Sequence, residues 1–235
     1  MDLGSKARSA VQLVSQGRFG EIWAGLKTHL RSDVLAYGLR RDLAKAFEPP
    51  QAKIPIKVRP LDRHDIELFR MRSDAELSAD GIYQRMGRLR MIEEGIGKGY
   101  AAVDANGSVG YVQWLFFPKD NLELQSHFHG LFPKLATDYA LLEGAFTFEA
   151  FRGKGIMSAA MALIAEEAGK AGARYAITFV TQDNIPSLKG CERAGFTPYC
   201  KRTERHRLFR MGVEFKPLSQ PPGNGGAVET HYQVV

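Results

Sequence analysis

The stretch Arg152-Gly153-Lys154-Gly155 has residue types and spacing suited to holding a phosphate. Its glycines let the backbone fold tightly and bring N–H groups close to a ligand. The N–H groups that open a helix have no partner within it and sit at its positive dipole end. Arg152 and Lys154 add two full charges at the same spot, and Ile156 and Met157 carry the chain into the helix. Such a turn suits a phosphate-bearing ligand, above all a pyrophosphate. Two familiar phosphate loops do not fit. A P-loop has Ser or Thr directly after Gly-Lys, and here Gly155 follows Lys154. A dinucleotide fingerprint puts Gly where Ser158 stands and an acidic residue about 20 positions on, and Arg174 to Val180 offers none.

The elements that position this turn are legible on both sides. Ala140 to Phe148 is apolar and aromatic over one strand length. After the turn, Ile156, Ala160, Ile164 and Ala168 recur at helical spacing, with Gly169 and Gly172 as stop signals. Arg174 to Thr181 reads as a second apolar, β-branched strand, and Asn184 to Phe196 as a short helix closing on Gly195-Phe196.

This run resembles the GNAT acyltransferases. Arg152 and Gly155 match their R-x-x-G-x-G/A turn, with Met157 where Gly or Ala is usual; Asn184, Ser187 and Gly195-Phe196 match a second signature at the right separation. The resemblance implies an α+β fold of mixed α/β character, a mixed central sheet flanked by helices. It implies acetyl-CoA as co-substrate, its pyrophosphate on Arg152, Gly153, Lys154, Gly155, Ile156 and Met157. Asn184 would touch the pantetheine arm or a backbone carbonyl, and Ser187 would lie near the phosphates. The central strand of the family splays, so backbone N–H groups of Phe146, Thr147 and Phe148 would face the ligand.

The implied reaction is direct attack of a neutral primary amine, on a small molecule or amino sugar, at the acetyl thioester. It needs a proton acceptor, oxyanion donors and an acid for the leaving thiolate. Glu143 is the carboxylate on the central strand, flanked by apolar residues; burial would raise its pKa toward a useful base. The family's tyrosine acid falls at Cys191, with Tyr199 and Tyr139 as alternatives. Two other readings stay open: a longer acyl-CoA or acyl-carrier-protein donor, motivated by Met157, and a non-catalytic CoA-binding or protein-interaction module.

Composition sets the frame. The 235 residues suffice for one ordinary domain with an appendage, and a net charge of +6 favours anionic ligands such as CoA. The basic residues are scattered, which argues against nucleic acid. Cys191 and Cys200 form no CxxC, and His127 and His129 lack a third ligand, so neither a disulfide framework nor a metal is expected. No stretch reaches the ~18 apolar residues of a membrane span, and no leader is evident, so the reading is cytoplasmic.

Along the chain, residues 1–50 read as a helical extension, with Val11, Val14, Ile22, Leu26, Leu30, Leu35, Leu39 and Leu43 at helical spacing. Its apolar surface could pack on the main domain or form a homodimer. Residues 51–217 form the acyltransferase domain, and 218–235 a flexible tail. Within the domain, Ile56 to Leu61 reads as a strand, Asp62 or Asp65 opens a helix to Met71, and 74–98 is mainly helical. Gly99–Asp104 and Val109–Phe117 form a hairpin about Asn106-Gly107, read as a type I′ turn, with Trp114, Phe116 and Phe117 in the core. Residues 118–137 read as a long connection. Tyr199 to Phe215 gives two final strands, whose Arg202, Arg205, Arg207 and Arg210 face solvent or meet an anionic acceptor.

Overall fold

The computed structural model describes residues 31–71, 79–207 and 210–218. Eight strands form one sheet: β1 Arg31–Asp42, β2 Lys57–Pro60, β3 Lys98–Val103, β4 Val109–Phe116, β5 Tyr139–Thr147, β6 Tyr175–Thr181, β7 Thr197–Arg207 and β8 Arg210–Pro217. Their spatial order is β2-β3-β4-β5-β6-β1-β7-β8. All neighbours are antiparallel except β5 and β6, which run parallel. The α-helices among the described residues are α1 Arg63–Met71, α2 Ala79–Glu94, α3 Asn121–Phe128, α4 Ile156–Lys170 and α5 Ile185–Arg193. None is long and apolar enough to cross a membrane.

The fold is α+β, with the mixed sheet between two helical layers, as expected. On one face Ile156, Ala160 and Ile164 of α4 pack with Cys191 and Phe196 against Tyr111, Leu115 and Leu142. On the other, Phe69, Met91 and Leu124 pack against Trp114, Phe116 and Leu141. The alanines of α4 let this helix lie close to the strands while burying nearly every turn. α1 starts with reciprocal caps: the Asp65 N–H donates to Asp62 Oδ1 at 2.9 Å and the Asp62 N–H to Asp65 Oδ2 at 3.0 Å. Arg59 of β2 closes on the same buried carboxylate through two nitrogens.

Three expectations are corrected. Residues 31–42 are not helix but strand β1, hydrogen-bonded on both sides between β6 and β7. The i, i+4 spacing of Leu35, Leu39 and Leu43 imitates a helix, yet Leu35 is 45% exposed while Ala36 and Leu39 are buried. Paired strands on both edges satisfy the backbone of β1, and tertiary pairing overrides the local pattern. Residues 118–137 are not an open connection, because α3 lies within them; His127 there pairs with Glu94 at 2.6 Å, and His129 ends the helix in a left-handed conformation. The β3–β4 hairpin is present, but its turn is not type I′, which needs two positive φ values; among its non-terminal loop residues only Gly107 has one. Asp104 Oδ1 instead accepts the N–H groups of Asn106 and Ser108, an Asx-stabilised loop. The expected helices within 1–30 and the tail from 219 on lie outside the described residues.

After Asp42 the chain leaves the sheet and crosses over α4. Leu43 packs where Gly169 leaves room, Phe47 lies against Gly195, and the backbone of Gln51 and Ala52 approaches Gly155. The Lys53 N–H donates to the Lys154 carbonyl at 2.8 Å. This strap links the N-terminal part of the chain to the glycine turn.

Candidate active site

The glycine turn joins β5 to α4. Gly153 and Gly155 have φ of 73° and 74°, left-handed values that side chains with a Cβ adopt only with strain. Gly155 is the N-cap of α4 and offers no capping side chain. Among the described residues no acceptor takes the N–H groups of residues 154–158. They lie at the positive end of the helix dipole. Arg152 Nε donates to the Thr147 carbonyl at 3.3 Å, and Lys154 Nζ lies 5.2 Å from the Phe151 ring centroid. Both cations therefore stay beside the turn.

β5 and β6 are paired only at Tyr139↔Tyr175, Ala140↔Ala176 and Leu141↔Ile177. Beyond Leu141 the strands part, while β6 stays paired with β1 through Thr181. On its other edge β5 carries a bulge, in which Gly144 and Ala145 oppose Gln113 alone, and Gly144 has φ 69°. After the bulge the Phe148 N–H donates to the Gly110 carbonyl at 3.0 Å, and Phe146 pairs with Val112. The expected set of three donors is thereby corrected: Phe148 faces β4, and alternation turns Thr147 toward the gap, where its carbonyl meets Arg152.

Glu143 stands on β5 two residues beyond Leu141, where the strands part. It is half-buried, and burial is the main influence pushing its carboxyl above the usual range, opposed by the Gly144 N–H and by Arg202 and Arg88. Cys191 of α5 is fully buried, and burial, with the Glu143 carboxylate, pushes its thiol up to about 12. Tyr111, also fully buried, is raised by burial and then by Cys191 and Glu143; its hydroxyl donates to Gln113 Oε1 at 2.8 Å. Glu143 thus acts electrostatically on both Cys191 and Tyr111. Tyr199 and Tyr139 do not join them. Both gather around Arg40, whose guanidinium lies 5.4 Å from the Tyr199 ring centroid and donates to the Tyr139 hydroxyl at 3.3 Å. Tyr139 begins β5, at the end opposite the turn.

The model of the Acetyltransferase (GNAT) family matches residues 68–196, more than half of the sequence. The chain belongs to the GNAT acetyltransferase family. No curated protein matches it significantly. Solved structures similar to it include a GNAT-family acetyltransferase from Colwellia psychrerythraea, at 16% identity and TM-score 0.48 over 84% of this chain and 62% of that one. Another, from the GNAT family of Novosphingobium aromaticivorans, gives 14% and 0.46 over 80% and 66%. A glucosamine N-acetyltransferase region in a fungal multi-domain β-N-acetylglucosaminidase gives 18% and 0.51 over 85% of this chain and 23% of that protein. The chain spans less than two thirds of the Colwellia protein's length.

Within this GNAT frame, Asn184 is the N-cap of α5, its Oδ1 accepting the Ser187 N–H at 3.2 Å. Both signature residues thus shape the helix start beside the gap. Met157 does not crowd the turn, because its side chain packs against α5: a Cβ at Gly190 would lie 3.0 Å from Met157 Sδ. The large residue on α4 is matched by a small one on α5. Other residues at the site carried no local sequence signal. Arg88 of α2 reaches the Gly144 and Ala145 carbonyls. Arg202 is not solvated as expected; it is 5% exposed, pairs with Glu204 at 2.7 Å and stacks near Phe132 and Phe179. Arg205 and Arg207 do reach the surface, pairing with Glu214 and Asp33.

Proposed function

We propose that the chain transfers the acetyl group of acetyl-CoA to a primary amine of a small molecule or amino sugar. The observation that carries this reading is the junction of three features on one strand-turn-helix: the gap beside Thr147, the carboxylate of Glu143 where the strands part, and the unpaired N–H groups after Arg152. The turn residues Arg152 to Met157 hold the pyrophosphate, and the pantetheine arm runs into the gap, presenting an activated acetyl group. The amine approaches from the Glu143 side. Its nitrogen bonds to the thioester carbon, the carbon–sulfur bond breaks, and the amine proton passes to Glu143.

The thiolate then needs a proton. A thiol held at about 12 gives up a proton to a thiolate of ordinary pKa near 8.5 only against a gradient of roughly three orders of magnitude. We therefore assign that step to the carboxylic acid that Glu143 has become, and give Cys191 a packing role. Met157, turned toward Gly190, leaves the turn open to acetyl-CoA.

The test is thermal melting with and without acetyl-CoA, followed by free-thiol release with a panel of glucosamine, a linear diamine, a free amino acid and a lysine peptide. Ligand at about 100 times its dissociation constant stabilises the native state by about 2.7 kcal/mol. The expected result is a rise in Tm for the wild type that disappears in the double variant Arg152→Glu/Lys154→Glu. An equal rise in both would remove CoA from the turn, and thiol release with none of the amines would remove the acceptor class.

A further inference from the structure

We infer that Arg88 is a positioning residue that sets the reacting edge of β5, an assignment that rests on the acetyltransferase reading above. Arg88 projects from α2, is 6% exposed, and spreads its guanidinium over backbone carbonyls. Nε donates to Gly144 O at 2.7 Å, Nη2 to Ala145 O at 2.6 Å and Nη1 to Gln84 O at 2.5 Å. Its Cζ lies 4.9 Å from the Phe146 ring centroid. Burying a cation is costly unless its donors are satisfied, and a planar fork of five donors satisfies adjacent carbonyls in a fixed geometry that an ammonium cannot.

The place it grips is specific. In a regular strand successive carbonyls turn to opposite edges. Here those of Gly144 and Ala145 meet one guanidinium, because two residues oppose Gln113 and Gly144 takes a left-handed φ. In a trans peptide the carbonyl and the following N–H point in opposite directions. Fixing the carbonyls of Gly144 and Ala145 therefore fixes the N–H groups of Ala145 and Phe146, and with them the entry of Thr147 into the gap. Arg88 also lowers the Glu143 carboxyl, against the burial that raises it. One side chain thus holds the backbone that leads into the gap and, with the Gly144 N–H and Arg202 and against burial and Glu204, acts on the charge state of the base.

The experiment compares wild type, Arg88→Lys and Arg88→Gln in calorimetric binding of acetyl-CoA and of ADP, which offers a pyrophosphate with no pantetheine arm. Amide hydrogen exchange over 143–147 is measured alongside. Both variants are expected to lose about tenfold in acetyl-CoA affinity, the scale of one charge-assisted hydrogen bond, with ADP affinity unchanged. Exchange at 143–147 accelerates and that of α4 does not. With a turned-over amine, Arg88→Lys keeps the acid limb of the rate profile and Arg88→Gln moves it to higher pH. An equal loss for both ligands, or unchanged exchange at 143–147, overturns the assignment. A wild type that binds neither ligand overturns the acetyltransferase reading instead, while the exchange result, which needs no ligand, still decides whether Arg88 holds the bulge. If Arg88→Gln does not fold, the charge-conserving Arg88→Lys decides the matter.

Discussion

Replacing Gly38 by alanine separates the two structures that the sequence of residues 31–42 allows. In a helix, the exchange removes glycine's entropic cost and stabilises by about 0.5–1 kcal/mol. In the sheet, Gly38 is a buried residue of β1, and a Cβ there would lie 2.4 Å from Cys200 Sγ, 2.9 Å from Phe179 Cε1 and 3.1 Å from Tyr199 Cε1. Two of these separations are shorter than real Cβ contacts, and the atoms belong to residues of the flanking strands β6 and β7. Overfilling of this kind costs about 1–3 kcal/mol. For a chain of this size each kcal/mol moves Tm by about 2–4 °C, so Gly38→Ala should melt roughly 2–12 °C below wild type. Gly87→Ala is the matched control. Gly87 is exposed on α2 with nothing within 4 Å of its would-be Cβ, and its replacement should raise Tm by about 1–4 °C. Adding Cys200→Ala to Gly38→Ala should recover part of the loss, a non-additive pair expected of residues in contact. Differential scanning calorimetry reads all four proteins. A Gly38→Ala protein as stable as Gly87→Ala would refute the central placement of β1.

Two further predictions concern titrating groups. Glu143→Gln should lower kcat roughly 10²–10⁴-fold, the usual range for a lost general base, while acetyl-CoA affinity stays within a factor of about two by calorimetry. The base form of Glu143 is ionised and its pKa is raised by burial; the wild-type rate should therefore climb with pH through a value above that of an ordinary glutamate, and this limb should be missing in the variant. Asp65 tests stability. Burial pushes its carboxyl up, but the hydrogen bonds from Arg59 and Asp62 outweigh that and hold it below the usual range. A depressed pKa gives stability that is complete above the unfolded value near 3.9 and lost as pH falls through the folded value. The Tm gap between wild type and Asp65→Asn should be constant near neutrality and close below about pH 4.

The glycine turn was legible because its chemistry is local: four consecutive residues supply the charges, the left-handed conformations and the helix start. The burial that raises the Glu143 carboxyl was legible for a similar reason, as a carboxylate set in an apolar strand. β1 was not, because what makes Gly38 necessary is Cys200 and Phe179, both far along the chain. Arg202 was hidden by its neighbours. Alternation along β7 turns Arg202 and Glu204 inward between exposed Lys201 and Arg205, but a run of charges masks a period of two. Arg88 lies among other arginines on α2, and the carbonyls of Gly144 and Ala145 turn to one side only because β5 bulges. The two signature residues of α5 were found by resemblance, and their observed contact is with each other.

The middle position of β1 also has a consequence for how the chain is made. This strand leaves the ribosome well before both of its partners, β6 and β7, which begin more than 130 residues later. At synthesis rates of about 5–20 residues per second, that leaves it on the order of ten seconds without either neighbour. Until then it is a strand with two open edges, the form most prone to pairing with the wrong chain. Among the described residues the β7–β8 hairpin, for its part, joins the sheet only through β1. The earliest described strand is thus the keystone set last, and a lesion in residues 31–42 would detach a hairpin at the far end of the sequence rather than trim a terminus.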